Sequence, residues 1–123
     1  MTLQDLRQFR SIRAEVRRIS ERMETLRKVT ATTEDEKALE TIKELYKELE
    51  AHHRALYAKE LETTRQIELI NDAQVRLSIE MHYIDGKTWN EVADAIGGGN
   101  TEAACKMYVR RYFEKPLHML QTE

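Results

Sequence analysis

The stretch that decides the fold is Ile84-Asp85-Gly86-Lys87-Thr88-Trp89-Asn90-Glu91-Val92-Ala93-Asp94-Ala95-Ile96-Gly97, followed by Gly98-Gly99-Asn100-Thr101 and a cationic segment that runs to Lys115. Thr88 and Glu91 have the spacing of a capping box, which predicts that a helix begins here. Gly97 is expected to end it. A second helix is predicted over 101–115, with Thr101 or Asn100 as its cap. Two short helices joined by a glycine turn are typical of a helix-turn-helix.

The predicted last helix has a buried and an exposed side. At about 100° per residue, Val109 and Tyr112 share the buried side with Cys105, and Tyr108 lies at its edge. The opposite side carries Ala103, Lys106, Met107, Arg110 and Arg111. A helix that reads the major groove needs this division, because one side packs on the protein and the other reaches bases and phosphates. The pattern therefore predicts DNA binding.

A further helix is predicted directly before this pair. Asn71 is its expected cap, with Gln74 three residues later. Val75 and Ile79 are expected to face inward, and the helix is expected to end at Asp85-Gly86. Residues 71–115 thus form a predicted three-helix module.

The first 70 residues carry the repeat of a coiled coil. In the first predicted helix, from Thr2 to about Lys28, apolar residues follow at steps of three and four: Leu3, Leu6, Phe9, Ile12, Val16, Ile19, Met23 and Leu26. Thr33 and Glu36 predict a capping box for the second helix. Its seam continues through Leu39, Ile42, Leu45 or Tyr46, Leu49, His52 or His53, and Leu56, towards Leu61 and Ile70. The short loop between them favours a long antiparallel hairpin.

Charge is divided unevenly along the chain. The net charge is −2, yet residues 1–29 sum to +4, residues 30–70 to −4 and residues 71–115 to −1. Nucleic-acid binders usually carry a basic excess that releases counterions from phosphate. We therefore expect the C-terminal module to depend on a second subunit, or on a larger partner that already holds the DNA.

The first helix carries seven arginines with two open interpretations. They form either a stripe that contacts phosphate or a set that pairs with acids of the second helix, and the equal and opposite segment charges favour pairing. Exposed pairs contribute only ~0.2 to 1 kcal/mol each, so pairing would mainly select a partner. The arginines are Arg7, Arg10, Arg13, Arg17, Arg18, Arg22 and Arg27, and the expected acids are Glu40, Glu44, Glu48 and Glu50.

Composition argues against several classes of protein. A single proline and many Ala, Glu, Lys, Leu and Arg residues favour an all-α chain. No apolar run is long enough to span a membrane and no signal peptide is visible, so we expect a cytoplasmic protein. His52 and His53 are adjacent, and His82 and His118 have no ligand at metal spacing, so no metal or cofactor is expected. No nucleophile motif is present, which argues against an enzyme.

The segment from about Asn71 to Lys115 resembles region four of bacterial primary sigma factors and their phage-encoded relatives. The resemblance is carried by Tyr83-Ile84-Asp85-Gly86-Lys87-Thr88-Trp89-Asn90-Glu91-Val92-Ala93, and Gly97-Gly98-Gly99-Asn100-Thr101 is similar to the turn of the phage branch. It implies a phage or prophage transcriptional regulator whose last helix enters the major groove. By position, it implies phosphate contacts from Lys87, Thr88 and Trp89, and a reading helix with Thr101, Lys106, Arg110 and Arg111.

Two of these residues have a second interpretation. Trp89 is more often a packing anchor than a DNA contact. Met107 either touches a thymine methyl group or is an exposed apolar residue without a role.

These patterns predict a hairpin over 1–70, a helix-turn-helix module over 71–115 and a tail over 116–123. The expected function is regulation of transcription on double-stranded DNA, possible together with host RNA polymerase, by a homodimer joined through the hairpins. The alternative is an assembly protein, such as a small terminase subunit, that uses the hairpin to oligomerise.

Overall fold

The chain is all-α, as its composition predicts. A computed structural model describes residues 1–114, and this part holds five α-helices, one π-helical turn and no strand. The elements are α1 (Leu3–Thr32), α2 (Glu36–Glu68), α3 (Ala73–Ile79), the π turn (Glu80–Ile84), α4 (Trp89–Ile96) and α5 (Glu102–Glu114). Lys115, where the last helix was expected to end, and the predicted tail 116–123 lie outside the described residues.

The end of α1 and the start of α2 differ from the prediction. α1 continues beyond Lys28 to Thr32, and the Thr30 hydroxyl donates to the Leu26 carbonyl at 2.8 Å. The predicted capping box at Thr33 is wrong, because the Thr33 hydroxyl instead donates to the Val29 carbonyl at 2.6 Å. Asp35 caps α2 in its place, since its carboxylate accepts from the Lys37 N–H at 3.0 Å.

The less exposed side of α2 keeps three-four spacing along the whole helix. Of the two alternatives, Tyr46 and His53 face inward, while Leu45 and His52 are exposed. The extension to Leu61 is wrong, since that side chain is 52% exposed. The inward positions are Leu39, Ile42, Tyr46, Leu49, His53, Leu56, Glu60, Thr63 and Ile67.

The chain divides into two compact units. One, here the long-helix segment, is Ser11–Glu62. The other, here the C-terminal unit, joins Met1–Arg10 to the chain from Thr63 onward. This division does not coincide with the boundary expected at residue 70, because the start of α1 and the end of α2 pack with the later helices.

Side-chain contacts join α1 and α2 within the long-helix segment. Arg13 Nε lies 3.6 Å from Glu60 Oε1, Ser20 Oγ lies 2.9 Å from His53 Nε2, and Arg27 Nη2 donates to the Tyr46 hydroxyl at 2.7 Å. Each advance along α1 meets an equal retreat along α2, so the helices run in opposite directions here. Arg13 and Arg27 do not use the expected acids at these contacts, since Arg27 pairs with Glu24 at 2.9 Å.

The C-terminal unit has two apolar clusters. The larger combines the start of α1, the end of α2, α3 and α5, and its buried members are Leu6, Ile67, Ile70, Val75, Ile79 and Val109. The smaller lies between α4 and α5 and consists of Val92, Ala93 and Cys105. These clusters confirm the expected inward positions of α3, α4 and α5.

The entry to α3 and its continuation differ from a simple capped helix. Asp72, not Asn71, is the cap, because its carboxylate accepts from the N–H groups of Gln74 and Val75 at 3.0 and 3.1 Å. α3 then widens into the π turn, where the Asp85 N–H donates to the Glu80 carbonyl at 2.9 Å. Such turns occur frequently at functional sites. No helix among residues 1–114 is both long and apolar enough to cross a bilayer.

Candidate nucleic-acid interface

A complete capping box fixes the start of α4, as predicted. The Thr88 hydroxyl accepts from the Glu91 N–H at 3.2 Å, and the Glu91 carboxylate accepts from the Thr88 N–H at 3.0 Å. These hydrogen bonds to Thr88 lower the pKa of the Glu91 carboxyl below its usual value. The carboxylate is therefore charged near the positive end of the helix dipole, where negative charge is favourable.

A glycine turn connects α4 to α5. Gly97 ends α4 with φ of 69°, and Gly98 and Gly99 have φ of 65° and 78°, a backbone region that other residues rarely adopt. Asn100 holds the turn, because its side-chain amide donates to the Gly97 carbonyl at 2.7 Å. The Gln74 amide donates to the Asn100 side chain at 3.2 Å, which ties the turn to α3.

The start and the buried side of α5 follow the sequence pattern. Of the two expected caps, Thr101 is the one used, since its hydroxyl accepts from the Ala104 N–H at 3.1 Å. Cys105 and Val109 are buried, and Tyr112 is partly buried. Burial raises the pKa of the Cys105 thiol, so the side chain stays neutral and serves as a small apolar core residue.

The outer side of α5, here the exposed face, carries the side chains predicted for it. These residues are all exposed: Ala103, Lys106, Met107, Arg110 and Arg111. A shallow groove of about 400 Å³ runs beside them and is also lined by Thr101 and Glu102. Cationic and apolar groups thus share one open surface, with packed helices behind it.

The other three predicted site residues lie at the start of α4. Lys87 and Thr88 are exposed, and Trp89 is half-buried. The Trp89 ring stacks on the His82 ring with centroids 4.0 Å apart, and it packs against both apolar clusters. This is the packing role expected for it, and contact with DNA remains a prediction.

The loop before α4 is held by its own backbone. The Lys87 N–H donates to the Met81 carbonyl at 2.9 Å, and the Lys87 carbonyl lies 2.7 Å from His82 Nδ1. The π turn and the start of α4 therefore form one connected surface. His82 was not among the predicted site residues, and its position follows from the π turn, which the sequence pattern does not show.

Two arginines of α1 reach this part of the molecule, and the sequence did not assign them to it. The Arg10 guanidinium lies against Gly86 so closely that a Cβ there would come within 2.6 Å of it. Arg7 lines a cavity with His82, Lys106 and Arg110. The spacing of Arg7 and Arg10 places both near one face of α1, but nothing in the sequence says which surface that face meets.

No protein-family model matches the chain, and no curated protein or solved structure matches it either. Within residues 1–114, no three His, Cys, Asp or Glu side chains come together as a group able to hold a metal ion.

Proposed function

We propose that the protein is a DNA-binding transcriptional regulator of the phage or prophage type, with α4, the glycine turn and α5 acting as a helix-turn-helix. The observation that carries this proposal is the exposed face of α5, where Lys106, Arg110 and Arg111 lie opposite the buried Cys105 and Val109. Arginine and lysine are the side chains that most often read guanine in the major groove. Lys87 and Thr88, at the start of α4, would contact the phosphate backbone.

Two substitutions on α5 test this proposal. Arg110→Ala and Lys106→Ala should each weaken binding to DNA fragments selected from the source genome, by about 1 to 3 kcal/mol where the side chain reads a base. Lys59→Ala is the matched control, because it removes one exposed positive charge from α2. Electrophoretic mobility shifts at two salt concentrations provide the measurement. Unchanged binding in both α5 variants would count against the proposal.

The weak charge of the module supports a role for a second tether. Residues 71–115 sum to −1, so phosphate attraction gives them little affinity on their own. We propose that host RNA polymerase, or a second subunit, supplies the rest. Adding purified polymerase should lower the protein concentration needed to occupy a promoter, and a footprint unchanged by polymerase would exclude that partner.

The long-helix segment supports dimerisation through an antiparallel hairpin. Four large apolar side chains of α1 and α2 in this segment are exposed, namely Val29, Leu45, Tyr57 and Leu61. A second copy of the segment would cover them and would double the phosphate contacts. Light scattering after size-exclusion chromatography measures the state, and Leu61→Glu should shift a dimer towards the monomer.

The same exposed side chains favour the alternative function, an assembly protein such as a small terminase subunit. A ring of eight or more subunits in the light-scattering experiment would support assembly. A monomer or dimer would support the regulator.

A further inference from the structure

A cavity of about 260 Å³ lies within the C-terminal unit, beside α5. It is built by four elements that are far apart in the sequence. Arg7 comes from α1, His82 and Tyr83 from the π turn, Trp89 from α4, and Lys106 and Arg110 from α5. Only the last two of these elements were expected to take part in DNA binding.

The charge of this cavity has one sign. Arg7, Lys106 and Arg110 line it, and no aspartate or glutamate does. The ion pairs found among residues 1–114 do not involve these three side chains. Three cations around one small space repel one another, and an anion placed between them removes that repulsion.

Tyr83 shows that the two guanidinium groups act on the same place. Burial raises the pKa of the Tyr83 hydroxyl, and the positive charges of Arg7 and Arg110 oppose that rise. α1 and α5 therefore contribute cations to one site. Guanidinium groups are the preferred donors for phosphate, because their planar N–H groups match two of its oxygens.

The cavity adjoins the exposed face of α5. Lys106 and Arg110 line both the cavity and the groove that contains Thr101 and Met107. A helix in the major groove is flanked by the phosphates of both strands, so a cationic cavity at its edge is placed where a backbone phosphate lies.

We propose that Arg7, Lys106 and Arg110 form a pocket that holds one backbone phosphate of the bound DNA, so that the first turns of α1 belong to the DNA interface. This inference rests on the proposed function above. It also addresses the charge of the module, because Arg7 adds a positive charge from outside residues 71–115.

The DNA arm of the test compares two variants of α1 that lose the same charge. Arg7→Gln removes the pocket residue, and Arg17→Gln removes an exposed arginine of the long-helix segment. The slope of log K against log salt should become less steep by about 0.9 for Arg7→Gln and should not change for Arg17→Gln. Equal slopes for the two variants would overturn the pocket and leave the proposed function standing. A wild-type protein that binds no DNA would overturn both.

The second arm tests the pocket without DNA. Trp89 is the only tryptophan of the chain and lines the cavity, so its fluorescence reports on an anion there. Inorganic phosphate at low ionic strength should change its emission in a saturable way that chloride at equal ionic strength does not reproduce. Arg7→Gln should lose this response and Arg17→Gln should keep it, with circular dichroism confirming equal helix content. No response in the wild type, or an equal one in Arg7→Gln, would overturn the pocket.

Discussion

The C-terminal unit and the long-helix segment bury their apolar residues to very different extents. Of the thirteen buried apolar side chains among residues 1–114, ten belong to the C-terminal unit, and the long-helix segment has only Val16, Ile19 and Leu49. A single layer of contact between two helices leaves half of each helix open, whereas several short helices can enclose a core. The candidate DNA surface therefore lies on the better-packed unit, and the long helices offer surface for a partner.

The largest expected effect comes from truncating one leucine in each unit. Leu6 is 1% exposed within the larger cluster, and Leu49 is 7% exposed in the long-helix segment. Leu6→Ala should cost about 2 to 5 kcal/mol of unfolding free energy, and Leu49→Ala should lie at or below the lower end of that range, because an open site fills with water or collapses more easily.

Urea titrations followed by Trp89 fluorescence provide the measurement, since Trp89 packs against both clusters of the C-terminal unit. Circular dichroism of the same samples reports on all the helices. A greater loss for Leu49→Ala than for Leu6→Ala would invert the difference between the units.

A smaller effect is expected from glycines that share one backbone conformation. Gly86 and Gly99 have φ of 77° and 78°, and a side chain in this region costs about 1 to 2 kcal/mol. Only at Gly86 would the new Cβ meet another group, the Arg10 guanidinium at 2.6 Å, while Gly99 has open space around it. Gly86→Ala should therefore lose at least as much stability as Gly99→Ala, and any excess measures the displacement of Arg10.

Thermal unfolding of the two alanine variants supplies the comparison. Equal losses would mean that the flexible end of Arg10 moves aside without cost. A smaller loss for Gly86→Ala would contradict the packing of Arg10 on this glycine.

Next in size is the loss of the cap on α4. Thr88→Ala should cost about 0.5 to 2 kcal/mol, because the Glu91 N–H loses its acceptor. Thr41→Ala is the control in the long-helix segment, since the Thr41 hydroxyl only donates to the Lys37 carbonyl within α2. Alanine has the higher helix propensity, so this change should be neutral or slightly stabilising. Chemical denaturation of both variants would reveal a similar loss at Thr41 if capping were not the cause.

The Glu91 half of the same box has a pH dependence. Its pKa is lowered in the folded protein, so its contribution is present above the usual glutamate pKa and is lost as the pH falls through the lowered value. The wild type should lose stability relative to Glu91→Gln over this acidic range. A constant difference between them from neutral to acidic pH would contradict the assigned cause of the shift.

Sequence reasoning predicts the local chemistry of the C-terminal unit well. The pairing of Thr88 with Glu91, the glycine end of α4 and the two sides of α5 are all decided by residues within one or two turns of each other. Once Cys105 is placed in the core, the helical repeat determines which residues are exposed. The exposed face of α5 could therefore be written down from the sequence.

What the sequence did not predict depends on residues far apart or on polar seam positions. His53 and Glu60 lie on the inward side of α2 because Ser20 and Arg13 contact them, while the apolar Leu61 is exposed. A pattern based on hydrophobicity favours the opposite choice. The meeting of Arg7 with Arg110 is likewise tertiary, and no local signal specifies it.

The smallest effects come from one serine in each unit, and they should have opposite signs. Ser78 is fully buried and its hydroxyl has no hydrogen-bond partner among the described residues, whereas Ser20 lies 2.9 Å from His53 Nε2. Ser78→Ala removes an unsatisfied buried donor and should be neutral or stabilising by up to about 1 kcal/mol. Ser20→Ala removes a hydrogen bond worth about 0.5 to 1.5 kcal/mol and should destabilise. Unfolding midpoints of both variants decide the matter: a clear loss at Ser78 would show that its hydroxyl has a partner in solution, and the tighter packing of the C-terminal unit would then include a polar contact.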